Sequence, residues 1–275
     1  MSFLHLPEAL AEFRRPALIA AHPGHEVSVY GWLTYARPRV HILTDGSGLS
    51  GVSRLPSSQA LLRDVEAMPG EVFGVGPDRT FYQAIAARND EFFLGIVDRL
   101  AGALVNDRCD VVAGDAAEGY DPNHDLCRAM IDAAVSIAGH HLAGRIANYR
   151  FGFGEWLLPG NTPHDATCLH VELGDALFRR KLQSARDYPG LGAEVSRAMA
   201  TVGEEFFRVE CFRPVAWAGP DGSLASKPYY ELIGEQRMAE GAVASVIRYE
   251  DHVAPLVAAI RRHAVVHGEV ASESR

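Results

Sequence analysis

The chain has 275 residues, of which 48% are hydrophobic, and a formal net charge of −9 at pH 7. This length and apolar fraction suit one large α/β domain and exclude wholesale disorder. Basic runs and apolar stretches of 18 residues are both absent from the sequence. We therefore do not expect the protein to bind nucleic acid, and we expect no membrane-spanning segment. The N-terminus lacks a secretory pattern, and no two of the four cysteines form a Cys-x-x-Cys pair, so we expect a cytoplasmic protein with reduced thiols.

Apolar runs alternate with helical patterns through the first half of the chain. Residues 16–22 form a short apolar run that stops at Pro23 and Gly24, which is typical of a buried strand. Further strands are predicted at 39–46, 70–76 and 109–116, and helices at 26–36, 58–68, 80–107 and 126–139, the third with a break near Gly95. This order predicts an α/β fold with a Rossmann-like, mostly parallel sheet flanked by helices.

The pattern is weaker after residue 145. Strands are predicted within 144–160, 167–173 and 204–219, and helices at 174–188 and 250–268, the last with a kink at Pro255. These elements read as a C-terminal strand and helix extension of the same domain. We expect one domain over residues 1–267 and a flexible tail over 268–275.

Two histidines stand three apart in AAHPGHE, directly after the first predicted strand. Pro23 restricts this turn and Gly24 permits a positive φ, so the imidazoles of His22 and His25 can reach one metal ion. His124 lies in DPNHD, after another predicted strand. The carboxyl ends of parallel strands meet at one edge of a sheet. Three histidines with water in the fourth position form an open zinc site, although imidazole also suits other divalent ions.

The same segments resemble those of a known family. AAHPGHE resembles the AHPDDE signature of the PIG-L/LmbE-like deacetylases, zinc hydrolases that remove N-acyl groups, typically from sugars of the N-acetylglucosamine type. EGYDPNHD resembles the family's second motif, HPDH. Four further segments are similar to family segments in the same order, namely VHILTDGSG, LLRDVE, LFRRKLQSARDY and EEFFRVE. The resemblance covers roughly residues 17–210 and is carried more by the ordered set than by any one segment.

The resemblance implies roles for individual residues. His22, His25 and His124 occupy the three ligand positions, with His25 in place of a ligating aspartate. The family's general-base aspartate corresponds to Gly24, which cannot accept a proton. Asp121 precedes His124 by three residues in the same segment and is our first hypothesis for the base that replaces it. Two other interpretations remain for Asp121, a cap of the turn or an orienting partner of a histidine ligand.

Other polar residues are further hypotheses. Asp45, at a neighbouring strand end, is the second choice for the base and a candidate for substrate binding. Arg63 corresponds to a family arginine that can face the substrate, although an ion pair with Glu66 on the same helix explains it equally well. The remaining candidates for the base are Glu26, Asp115 and Glu118. A three-histidine zinc site also forms hydroxide near neutral pH, which weakens the need for a strong base.

These patterns predict a zinc-dependent amidohydrolase. It would remove the N-acyl group of an amino sugar or a related small glycoside with metal-activated water. Two alternatives stay open. One is a metal-dependent hydrolase of a different amide or ester in specialised metabolism. The other is a Rossmann-like binding protein that keeps the histidine cluster without catalysis. The expected partner is a small N-acylated molecule, and the sequence leaves open whether the chain forms a homo-oligomer.

Overall fold

The computed structural model describes residues 4–5, 14–152, 169–215 and 227–273. Its strands are β1 (Leu4–His5), β2 (Pro16–Ala20), β3 (Arg39–Thr44), β4 (Met68–Gly76), β5 (Val111–Asp115), β6 (Ala147–Phe151), β7 (Leu169–Leu173) and β8 (Val209–Pro214). Its α-helices are α1 (Tyr30–Ala36), α2 (Leu55–Asp64), α3 (Asp78–Ala86), α4 (Asp90–Asn106), α5 (Pro122–Leu142), α6 (Asp175–Asp187), α7 (Gly192–Val202), α8 (Tyr229–Ala239) and α9 (Ala254–Glu273).

The strands form one sheet in the order β1-β7-β8-β6-β5-β2-β3-β4. The five strands from β6 to β4 run parallel, whereas β8 and β1 each pair antiparallel with their neighbours. The prediction of an α/β fold with a mostly parallel sheet is confirmed. From β2 the chain builds outward through β3 and β4, then crosses to β5 on the other side of β2. The carboxyl ends of β2 and β5 therefore form a topological switch point, where ligands of such folds bind.

Helices cover both faces of this sheet. Ala17 and Ile19 belong to a core cluster with α3, α4, α5 and α9. Leu18, between them in the strand, belongs to a second cluster with α1, α2 and α6. Successive side chains of a strand point to opposite faces, so a strand buried on both faces is apolar throughout. This explains the unbroken apolar run that precedes the two histidines.

Several helices begin or end elsewhere than predicted. The helix predicted at 80–107 is divided into α3 and α4 at residues 87–89 and not near Gly95, because Arg88 has a φ of +51° and Asn89 caps α4 by accepting a hydrogen bond from the amide of Phe92. The helix predicted from 126 begins at Pro122, with Asp121 as its N-cap. Pro at the first helical position is favourable because its missing N–H would have had no partner there.

The C-terminal part also differs from prediction. Helices α7 and α8 had no sequence prediction. Pro255, where the sequence predicts a kink, is the second residue of α9 and lies in its first turn, where proline is tolerated. A π-helical turn, Tyr249–Val253, precedes α9.

The three cysteines among the described residues are in two states. Cys109 and Cys127 are free and buried. Cys211 is disulfide-bonded, so the prediction of reduced thiols is wrong for this residue. Spacing along the chain did not indicate this, because a disulfide depends on which residues the tertiary fold brings together. Among the described residues, no helix has the length and apolar character needed to cross a membrane.

Candidate metal centre

A polar cavity of about 190 Å³ lies at the carboxyl ends of the parallel strands. His22 follows β2, Asp115 ends β5, and His124 stands in the first turn of α5. The imidazole centroids of His22 and His25 are 5.4 Å apart, those of His22 and His124 are 5.3 Å apart, and those of His25 and His124 are 4.6 Å apart. All three histidines are buried, with at most 8% of their surface exposed. The structure thus brings the three predicted ligands together at the switch point.

His22 is held through one nitrogen. Its Nδ1 lies 2.8 Å from Thr44 Oγ1 and 3.0 Å from Asp78 Oδ1. Its Nε2 faces Asp121, whose Oδ1 is 3.9 Å away. Burial lowers the pKa of His22, but the nearby carboxylates of Asp121 and Asp78 outweigh burial and raise the pKa to about 9. A metal ion that binds Nε2 must therefore displace a proton at neutral pH.

His25 is also oriented by a carboxylate, that of Asp115 at the end of the neighbouring strand β5. Its Nδ1 lies 2.8 Å from Asp115 Oδ2, and the same oxygen accepts a hydrogen bond from the amide of Ala21 at 2.7 Å. Burial opposes ionisation of Asp115, but the charge and hydrogen bond of His25 hold the pKa of this carboxyl below its usual range. A histidine whose Nδ1 is paired with a carboxylate presents Nε2 as the metal-binding atom.

His124 is neutral at physiological pH. Burial, together with the positive potential from His25, lowers the pKa of His124 to about 3. A neutral imidazole offers a lone pair, which is the form that binds metal. His124 thus adds a further donor from the α5 side of the cavity.

Asp121 caps α5 and also reaches the histidines. Its Oδ1 accepts a hydrogen bond from the amide of Asn123 at 2.7 Å, and its Oδ2 accepts one from the Tyr82 hydroxyl at 2.6 Å. Burial raises its pKa, but the charge of His22 and the hydrogen bond from the Tyr82 hydroxyl hold the pKa well below the usual range. Donor atoms of His22, Asp121 and His124 all lie within 4.8 Å of one another. Asp121 is therefore an ionised oxygen donor at the same point as the histidines.

The group of His22, Asp121 and His124 could hold a metal ion, and His25 is not part of this group. Imidazole and carboxylate are ligand types that zinc binds in proteins. The carboxylates of Asp78 and Asp115 stand behind His22 and His25, as partners that fix ring orientation in metal sites do. The chemistry of the donor set also suits other divalent transition ions.

Gly24 leaves no room for a catalytic side chain between the two histidines. It has a φ of +108°, and a Cβ at this position would lie 2.5 Å from Leu191 Cδ1. Its amide donates to Glu26 Oε2 at 2.7 Å, and Glu26 Oε1 accepts hydrogen bonds from Ser58 and Tyr188. The buried Glu26 therefore fixes the turn in a conformation that favours glycine, which assigns Glu26 a structural role.

The two predicted substrate-binding residues do not line the cavity. Arg63 is exposed in the last turn of α2. Asp45 shapes the loop after β3, because its Oδ1 accepts a hydrogen bond from the amide of Ser47 and its carbonyl accepts one from the amide of Arg54. Arg54 is the arginine that lines the cavity, and its Nε donates to the carbonyl of Gly46 at 2.7 Å.

Sequence reasoning missed several residues of the site, among them Asp78, Tyr82 and Arg54. Asp78 begins α3 just after β4, and this strand-end position was a signal that could have found it. Burial raises the pKa of Asp78, but His22, Thr44 and the amide of Gly48 lower it to about 2. Tyr82 lies one turn further along α3, and no sequence pattern distinguishes it from a surface tyrosine.

Comparisons with known proteins give a likeness in fold. No protein-family model and no curated protein matches the sequence. The zinc-inhibited form of teicoplanin deacetylase Orf2 superposes with a TM-score of 0.54 at 13% identity, over 75% of this chain and 100% of that chain. A deacetylase complex with bog, from the teicoplanin biosynthesis pathway, superposes with a TM-score of 0.53 at 12% identity over the same shares. The chain has the fold of these deacetylases. At such identities the likeness establishes the fold alone.

Proposed function

We propose that the protein is a metal-dependent hydrolase that removes the N-acyl group of an amino sugar or a related small glycoside. The observation that carries the proposal is the cluster of His22, His25 and His124 at the switch point, with Asp78 and Asp115 orienting two of the rings. Zinc is the ion we propose, bound by the three imidazoles, with Asp121 beside them.

The chain's own residues would divide the work. A bound zinc ion would lower the pKa of its water ligand to near neutrality and would polarise the amide carbonyl. His22, His25 and His124 would hold the ion, and the carboxylates of Asp78 and Asp115 would fix the orientation of two of the rings. Asp121 accepts the proton of the attacking water and passes it to the departing amine. The Tyr82 hydroxyl, which donates to Asp121, keeps this carboxylate directed into the cavity.

Asp121 suits the proton-transfer role better than the other described carboxylates of the cavity. Asp78 is engaged with His22 through one oxygen and with the amide of Gly48 through the other. Glu194 lies exposed on α7. Asp121 lies partly buried beside the histidines, with 23% of its side chain exposed, and is ionised at neutral pH, so that it can accept a proton. It is therefore the carboxylate that we propose as the base in place of a side chain at Gly24.

The rest of the cavity supports a hydroxyl-rich substrate. Arg54 and Glu194 add opposite charges to its wall, and Tyr82 and Tyr120 add aromatic rings with hydroxyl groups. Sugars bind to such combinations of polar side chains and aromatic faces. The loss of a carboxylate at Gly24 favours one alternative, a hydrolase of a different amide or ester that uses the same metal centre.

Removal of one proposed ligand tests the function. We expect the purified wild-type protein to bind about one equivalent of zinc and to release amine from N-acylated amino sugars. His124→Ala should weaken zinc affinity by more than about 100-fold, beyond the loss that orienting residues typically cause, and abolish hydrolysis. His141→Ala, at an exposed histidine near the C-terminal end of α5, is the matched control and should change neither. Metal content by mass spectrometry and an amine-release assay provide the readouts. Unchanged zinc binding in His124→Ala would contradict the proposal.

A further inference from the structure

A second cavity, of about 90 Å³, adjoins the candidate metal centre. Its walls are mostly apolar and come from the turn after β2, from α6 and from α7. They include Val27, Leu182, Ala185, Val195, Ala198 and Phe207. Tyr120, Leu191 and Glu194 line both this cavity and the polar cavity of the histidines. The two cavities are therefore neighbours that share a wall.

Gly24 and Leu191 form the boundary between them. Gly24 lines the apolar cavity, and Leu191 Cδ1 lies where a side chain at Gly24 would begin. An apolar wall thus reaches the histidines at the position where the family resemblance led us to expect a carboxylate. A bound group that extends from the metal centre past Gly24 would contact hydrocarbon and not a charged group.

The charged residues around the apolar cavity do not make it polar. Lys181 is buried, and its Nζ donates to the Ser28 carbonyl at 2.7 Å and to Glu210 Oε1 at 2.9 Å. Glu194 and Arg197 lie on the exposed side of α7. The volume of this cavity equals that of about three water molecules. Apolar cavities of comparable size bind hydrocarbon in preference to water.

We infer that this cavity binds the acyl chain of the substrate and that the preferred acyl group is an unbranched alkyl chain longer than acetyl. This inference rests on the proposed function and names its substrate class more closely. An N-acylated amino sugar has a polar half and an apolar half joined at the amide. The polar cavity with Arg54 and Glu194 suits the sugar, and the adjoining apolar cavity suits the chain.

A series of N-acyl glucosamines with acyl chains of increasing length tests the inference. Each buried methylene should raise kcat/KM about fourfold until the cavity is full. We expect a rise of at least about tenfold from acetyl to hexanoyl, and a plateau for longer chains. A flat profile on an enzyme that hydrolyses the series would overturn the inference and leave the proposed function intact.

A pair of substitutions on α7 locates the effect. Ala198 is buried in the cavity wall, whereas Ala200 is exposed on the same helix. Ala198→Phe should remove the preference for hexanoyl over acetyl, and Ala200→Phe should keep it. Circular dichroism and thermal unfolding check that both variants fold. Ala185→Leu, on α6, is a smaller filling substitution that should reduce the same preference if Ala198→Phe does not fold. Retention of the preference in folded Ala198→Phe contradicts the inference.

Binding without turnover separates this inference from the proposed function. Calorimetry on metal-free protein should show at least about tenfold tighter binding of N-hexanoylglucosamine than of N-acetylglucosamine, lost in Ala198→Phe. Such a result without hydrolysis by the zinc-loaded protein would refute the proposed function while supporting the acyl-chain cavity. Equal affinities for the two ligands would refute the cavity assignment whatever the activity.

Discussion

Gly24 lies between the two histidines of the first motif, with a φ of +108° and Leu191 in the space that a side chain would need. Two separate effects therefore oppose any other residue here. One is the backbone conformation, which L-residues rarely adopt. The other is steric overlap with Leu191. A carboxylate at this position would therefore require Leu191 to move and a backbone conformation that favours glycine.

Gly24→Ala should destabilise the protein more than Gly51→Ala does. Both glycines have a positive φ, but a Cβ at Gly51 would have no atom within 4 Å. The two substitutions share a backbone penalty, and only Gly24→Ala adds the overlap with Leu191. We expect Gly24→Ala to lower the free energy of unfolding by about 1–3 kcal/mol more, measured by urea denaturation. Equal effects would show that Leu191 yields without cost.

The structure and the sequence point to different arginines as the one that binds substrate, Arg54 and Arg63 respectively. Arg54 lines the cavity, whereas Arg63 is exposed in the last turn of α2. If the cavity binds substrate, Arg54→Ala should lower kcat/KM by about 10- to 100-fold, because a charge-assisted contact is lost. Arg63→Ala should keep the wild-type value. Steady-state kinetics on an N-acyl glucosamine measures both, and the reverse result would restore Arg63 as the substrate-binding arginine.

At the scale of elements, a buried ion pair joins β8, α6 and the start of α1. Glu210 on β8 accepts hydrogen bonds from the amides of Gly31 and Trp32 at 2.8 Å and 2.9 Å. Lys181 on α6 donates to Glu210 and to the Ser28 carbonyl. A carboxylate at a helix N-terminus satisfies amides that lack partners within the helix. These two residues lie in segments that resemble the deacetylase family, and here their role is to fasten three elements.

Lys181→Met should be strongly destabilising. It leaves the buried carboxylate of Glu210 without its counter-ion, which typically costs about 3–5 kcal/mol. Adding Glu210→Gln should recover part of the loss, because the amide oxygen still accepts from α1. Arg37→Met removes an exposed pair with Glu66 and should cost less than about 1 kcal/mol. Urea denaturation of the wild type and the three variants measures these free energies. A loss for Lys181→Met no larger than for Arg37→Met would contradict the role assigned to the pair.

At the scale of the whole molecule, His41 links stability to pH. It is fully buried in β3, its Nδ1 accepts a hydrogen bond from the amide of Val72 at 3.3 Å, and its Nε2 has no partner among the described residues. Burial lowers the pKa of His41 from 6.5 to about 4. The folded state therefore keeps this ring neutral in a range where the unfolded state binds a proton.

Stability should fall as the pH drops below 6.5. The contribution of His41 is complete above pH 6.5, where the ring is neutral in both states, and is lost progressively toward pH 4. The total is at most about 3.4 kcal/mol, at 1.36 kcal/mol per unit of pKa shift. His41→Leu should flatten the curve of unfolding free energy against pH between 7 and 4. The difference from wild type isolates His41, because the site histidines titrate in both proteins. Parallel curves would show that His41 is not responsible.

The sequence by itself determined the alternation of strands and helices, the placement of His22, His25 and His124 after strands, and the loss of a carboxylate at Gly24. These features are local, because hydrophobic periodicity and turn residues depend only on residues that are close together in the sequence. The convergence of the three histidines followed from one general rule, that the carboxyl ends of parallel strands meet. Their role as metal ligands remains a prediction.

Only the tertiary structure decided which other side chains meet the histidines. Asp78 reaches His22 across 56 residues of chain, and Asp115 reaches His25 across 90. Such pairs depend on strand order and on the direction of each side chain, which one sequence does not encode in any short pattern. The same reason explains why Arg54 and not Arg63 lines the cavity, and why Leu191 stands against Gly24. Local sequence patterns determine the strands and helices. Long-range packing determines which side chains contact the three histidines, and these contacts set the chemistry of the site.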